Sequence, residues 1–220
     1  MQAFDTNALL DAFDEIGLAA IAAETRLELA VYGGSALMIA GNFRFSTEDV
    51  DIAQLRQPWP VWLADAVARI AARRSWAADW LNEAVSFHLS QYASLQDDHI
   101  LFGTFPRGAD ATGLVVHVPT ARYMLALKLK AMRINDPGKG AAEKADIGNL
   151  LEVTQTATVE EAMGILRRYF PKSAKAGERQ RFFLKHIFFA QTPEGDRDAP
   201  QYPVGRRDPP ASGAAGKADP

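Results

Sequence analysis

Leu27-Glu28-Leu29-Ala30-Val31-Tyr32-Gly33-Gly34-Ser35-Ala36-Leu37 is the stretch on which the reading of this chain turns. Its first six residues are mostly apolar and short of helix signals, which predicts a brief strand. The strand runs directly into two glycines and a serine, and Ala36 to Ala40 reads as the start of a helix. Glycines at such a junction adopt positive φ without steric cost and let a ligand approach the backbone. The helix behind them offers unpaired N–H groups and a partial positive charge, both suited to phosphate oxygens. Ser35 adds a hydroxyl donor. A plain turn uses the same residues, so the stretch gains meaning only from its neighbours in the chain.

The next charged segment is Arg44-Phe45-Ser46-Thr47-Glu48-Asp49-Val50-Asp51. Asp49 to Ala53 alternates acidic and apolar residues, the pattern of a half-buried strand. A spacing of two places both carboxylates on one face, with Val50 and Ile52 turned to the core. Two like charges so close repel, a cost that a divalent cation removes. Oxygen donors without cysteine or histidine favour Mg²⁺ or Mn²⁺ over zinc.

Outward from this centre the pattern is α+β. Thr6 or Asn7 is expected to cap a first helix carrying Leu9, Leu10, Phe13 and Ile16 on one stripe. Helices are expected at 61–73 and 77–84, and strands at 99–105 and 114–118 around a Pro-Arg-Gly turn. From Thr120 the chain turns helical, over roughly 120–134, 141–153, 158–169 and 177–190. The expected organisation is a core over 1–118, a helical part over 119–190 packed on it, and a tail over 191–220. That tail holds half of the twelve prolines and reads as disordered.

Composition narrows the chemistry. The 220 residues are 48% hydrophobic and 23% charged, with a formal charge of −3, which argues against a wholesale nucleic-acid binder. With no cysteine and four scattered histidines, thiolate nucleophiles, disulfides and zinc clusters are excluded. No apolar run spans a bilayer, and Met1-Gln2-Ala3-Phe4-Asp5 lacks the n- and h-regions of a signal peptide, so a cytoplasmic location without a membrane partner is expected.

The segment from Tyr32-Gly33-Gly34-Ser35 through Arg44, Thr47, Asp49 and Asp51 resembles the polymerase-β-like nucleotidyltransferase superfamily. It looks closest to the branch of AbiEii-type toxins and uncharacterised bacterial relatives. Leu125-Ala126-Leu127-Lys128-Leu129-Lys130-Ala131-Met132-Arg133 is similar to that branch's third motif, and Glu143-Lys144-Ala145-Asp146-Ile147 to its fourth. Asp79 to Val85 also looks like a recurring segment. The resemblance implies a small twisted mixed sheet backed by helices, and transfer of a nucleoside monophosphate from an NTP to an acceptor hydroxyl on RNA (tRNA among them) or protein.

In that scheme Asp49 and Asp51 would hold the metal. Gly33, Gly34, Ser35, Arg44 and Thr47 would bind the nucleotide, and Lys128 and Asp146 would complete the catalytic set. A toxin–antitoxin setting with a cognate antitoxin is implied as well. The strand Gly113 to Val118 departs from the pattern by lacking a third carboxylate, with His117 near where one is usual. The fourth motif departs too, with Lys144 and Ala145 ahead of Asp146 in place of its first acid. An impaired relative serving as a nucleotide- or partner-binding module is therefore the alternative.

Overall fold

A computed structural model describes residues 3–55 and 59–190. The expected tail at 191–220 lies outside the described residues. The chain begins with α1 (Thr6–Ala22), β1 (Leu27–Tyr32), α2 (Gly33–Gly41), β2 (Val50–Gln54) and α3 (Val61–Arg74). Then come β3 (Leu81–Asn82), a 3-10 turn (Ala84–His88), α4 (Leu95–Asp98), β4 (His99–Phe105) and β5 (Leu114–Pro119). The helical half comprises α5 (Ala121–Ala131), α6 (Gly140–Val153), α7 (Val159–Tyr169), α8 (Pro171–Lys175) and α9 (Glu178–Phe183), which runs into a π turn (Leu184–Phe188). The α+β expectation stands.

The strands form one sheet in the order β3-β2-β1-β5-β4. β1 lies antiparallel to β2 and parallel to β5, while β4 and β5 form an antiparallel pair. β1 is central, which is why its sequence is nearly all apolar: five of its six residues are buried. The register pairs Tyr32 with Asp51 and Val31 with Ile52. Directly paired residues share a face, so Asp51 stands beside Tyr32 while Val50 and Ile52 are buried on the other side.

Helix α1, with α3 packed beside it, covers the face carrying Phe105, whose ring meets Phe13 edge-on. Helix α5 covers the opposite face, where Tyr123 meets Tyr32 and His99. Beneath α5 the polar groups are paired. The Tyr32 hydroxyl lies 2.8 Å from His99 Nε2, and His99 Nδ1 lies 2.9 Å from the Ser94 carbonyl. A carbonyl only accepts, so Nδ1 carries the proton and Nε2 accepts from Tyr32. Burial pushes the His99 pKa down, which keeps the ring neutral.

Several local expectations are corrected. Asp5, not Thr6 or Asn7, caps α1, accepting from Ala8 N–H at 2.8 Å. Residues 77–84 form no helix: Trp80 is fully buried, and Leu81–Asn82 pair with Val50–Asp51 as β3. Asp49 sits immediately before β2 rather than on it. The helix expected at 120–134 stops at Ala131, where Met132 turns left-handed at φ 40°. No helix among the described residues is long and apolar enough to cross a membrane.

Candidate active site

Gly33 opens α2 with φ 63°, a left-handed value that a side chain resists. A Cβ added there would fall 2.5 Å from Asp51 Oδ2, so the bare backbone and the acid occupy one niche. A Cβ on Gly34 would fall 2.8 Å from Arg44 Nη1. The first turn of α2 is thus flanked by a carboxylate on one side and a guanidinium on the other. Its own N–H groups lie between them, free of intrahelical partners.

Neither the Asp49 nor the Asp51 carboxylate has a hydrogen bond or ion pair among the described residues. Burial, and then the charge of Asp49, push the Asp51 pKa above the ordinary carboxylate range; Arg133, Lys139 and Lys128 pull the other way. Among the described residues no three acidic, histidine or cysteine side chains are grouped to hold a metal. Two carboxylates suffice for Mg²⁺ when substrate phosphates supply further oxygens. Asp51 lies at the N-terminus of α2, against Gly33, and lines the cavity described next, whereas Asp49 is exposed, is not among that cavity's lining residues and acts on Asp51 through its charge.

A cavity of about 500 Å³ opens next to Gly33 and Asp51. Tyr32, Met124, Leu127 and Val85 are apolar parts of its lining, while Lys128, Lys130, Arg133 and His88 supply polar groups. Lys130 donates to the His88 carbonyl at 2.8 Å and lies over the Phe170 ring.

Helices α5 and α6 meet in a buried ion cluster. Arg44 clasps Asp146 with two donors, Nε to Oδ1 at 3.1 Å and Nη2 to Oδ2 at 2.5 Å. Lys128 Nζ lies 2.8 Å from Asp146 Oδ2 and donates to Glu143 Oε2 at 2.9 Å. Lys128, Glu143 and Asp146 are all buried, and Glu143 Oε1 has no hydrogen-bond partner among the described residues. The bond to Asp146 raises the Arg44 pKa further.

Not every candidate faces the cavity. Ser35 is buried and donates its hydroxyl hydrogen to the Tyr32 carbonyl at 2.9 Å, so only its backbone N–H is left to offer a ligand. Thr47 donates to the Asp49 carbonyl at 3.0 Å and bridges to Phe4, which makes it a support for Asp49. His117 pairs with Glu28 at 2.9 Å, not with the acid pair. Glu143 went unrecognised in the sequence, although the signal was present. It stands three residues before Asp146, which places both on one helix face, and both pair with Lys128. Comparison with protein-family models, curated proteins and solved structures finds no match for this chain.

Proposed function

We propose that this chain is a metal-dependent nucleotidyltransferase that moves a nucleoside monophosphate from an NTP to an acceptor hydroxyl. The observation that carries the reading is the convergence at the first turn of α2, where Asp51 and Arg44 crowd two glycines beside a cavity of nucleotide size. The motif resemblance supports it from the sequence side. Asp49 and Asp51 hold Mg²⁺ or Mn²⁺, which supplies charge neutralisation for the phosphates and the attacking oxygen. The N–H groups of Gly33, Gly34 and Ser35 and the outer edge of Arg44 receive phosphate oxygens. The apolar lining at Met124 and Leu127 takes the base. The acceptor oxygen forms a bond to the α-phosphorus, the bond to the bridging oxygen breaks, pyrophosphate leaves, and the acceptor's proton passes to solvent.

The test is incubation with each labelled NTP, Mg²⁺ or Mn²⁺, and total cellular RNA or protein. Asp49→Ala and Asp51→Ala should each lower labelling by at least about a hundredfold, the scale for removing a transition-state charge partner. Equal labelling by wild type and either variant would refute the assignment. The two-carboxylate set favours one second reading, a module that binds nucleotide or a partner without turnover. Tight, metal-dependent NTP binding with no transfer to any acceptor would establish that reading. A cytoplasmic setting and a cognate antitoxin belong to the same proposal and are tested by co-purification from the native host.

A further inference from the structure

The guanidinium of Arg44 is a planar fork, and the cluster uses only part of it. Nε and Nη2 both go to Asp146, which is 1% exposed. Nη1 has no hydrogen-bond partner among the described residues, and it lies against Gly34, 2.8 Å from where a Cβ would stand. Bidentate binding fixes the plane of a guanidinium, so Asp146 determines where Nη1 points. Lys128 in turn holds the oxygen of Asp146 that Nη2 contacts, and Glu143 holds Lys128. The four side chains carry two positive and two negative charges. A phosphate reaching Lys128 would have to compete with two carboxylates for a side chain that is 7% exposed. Both oxygens of Asp146 are likewise engaged, which leaves it no role as a proton carrier.

We infer that Asp146, Lys128 and Glu143 are positioning residues that aim Arg44 at the first turn of α2, and that Arg44 alone of the four grips the phosphates of the nucleotide. This rests on the nucleotidyltransferase reading and departs from the direct roles that the motif resemblance implies for Lys128 and Asp146. Inorganic tripolyphosphate with Mg²⁺ is the probe, because it carries the anion without a base. Calorimetry on the full chain compares wild type, Arg44→Ala, Asp146→Asn, Lys128→Met and the doubles R44A/D146N and R44A/K128M.

Arg44→Ala is expected to weaken binding about tenfold to a hundredfold, the range for a charged hydrogen bond. Asp146→Asn and Lys128→Met are expected to weaken it comparably, with each double no weaker than Arg44→Ala alone, since residues in one network are not additive. Effects that multiply in the doubles would overturn the inference and leave the proposed function standing. Absence of tripolyphosphate binding by wild type would overturn both. Should Asp146→Asn fail to fold, Arg44→Lys carries the test. Lysine keeps the charge but cannot clasp Asp146 and reach Gly34 together. Wild-type affinity in that variant would overturn the inference, and a loss near that of Arg44→Ala supports it.

Discussion

Asp51 is held in the folded chain at an energetic cost. Its pKa is raised by burial and by Asp49, so between the ordinary carboxylate range, about 4, and that raised value the folded state binds the extra proton. Stability therefore falls as pH rises through this window. Asp51→Asn is expected to raise the thermal midpoint at neutral pH, with the gain fading as the pH drops below the window. Added Mg²⁺ should raise the midpoint of wild type and leave that of Asp51→Asn unmoved, because only the former gains a ligand. Identical Mg²⁺ responses in a thermal melt would contradict this. Gly33→Ala places a methyl against Asp51 at an unfavourable φ. The expected destabilisation is about 1–3 kcal/mol, together with loss of Mg²⁺-dependent tripolyphosphate binding, read by chemical denaturation and calorimetry.

At the scale of elements, the segment between α2 and β2 carries Arg44, Thr47 and Asp49, and the N-terminal strap holds it. Phe4 and Thr47 exchange backbone hydrogen bonds at 2.9 and 3.0 Å. The Phe4 ring stacks on Trp76 at 4.2 Å and meets Trp80 edge-on at 6.1 Å. Phe4→Ala should cost about 3 kcal/mol, shift tryptophan fluorescence and weaken tripolyphosphate binding. A stability loss with unchanged affinity would show that the strap does not serve the site. Most elements are legible in the sequence, because β1 and β5 are short apolar runs beside turn signals and α3 and α7 carry a clear amphipathic stripe. The segment 77–84 is not, since Ala77, Ala78 and Ala84 favour a helix and only burial of Trp80 overrides that preference. The pairing of Arg44 with Asp146 is equally hidden. It joins residues 102 positions apart, and local reading places Glu48 nearer.

The whole molecule divides its charge. Residues 1–118 hold 7 Lys and Arg against 15 Asp and Glu, whereas residues 119–190 hold 13 against 7. The chain should therefore bind immobilised heparin despite its net charge of −3, through the helical half, and elute with modest salt. Passage through that matrix at low salt would show the basic residues too dispersed to act together. This asymmetry is readable in the composition once divided, whereas the cavity between α5 and the sheet needs the fold. The pairing of Tyr32 with Asp51 has a last consequence. Because facing alternates along an extended chain, one residue inserted between Val50 and Asp51 with the upstream register kept would turn the acid away from the cavity wall, to the face that Ile52 now occupies. Two inserted residues would restore the orientation. Phosphate binding should then obey parity, lost with odd insertions and partly regained with even ones.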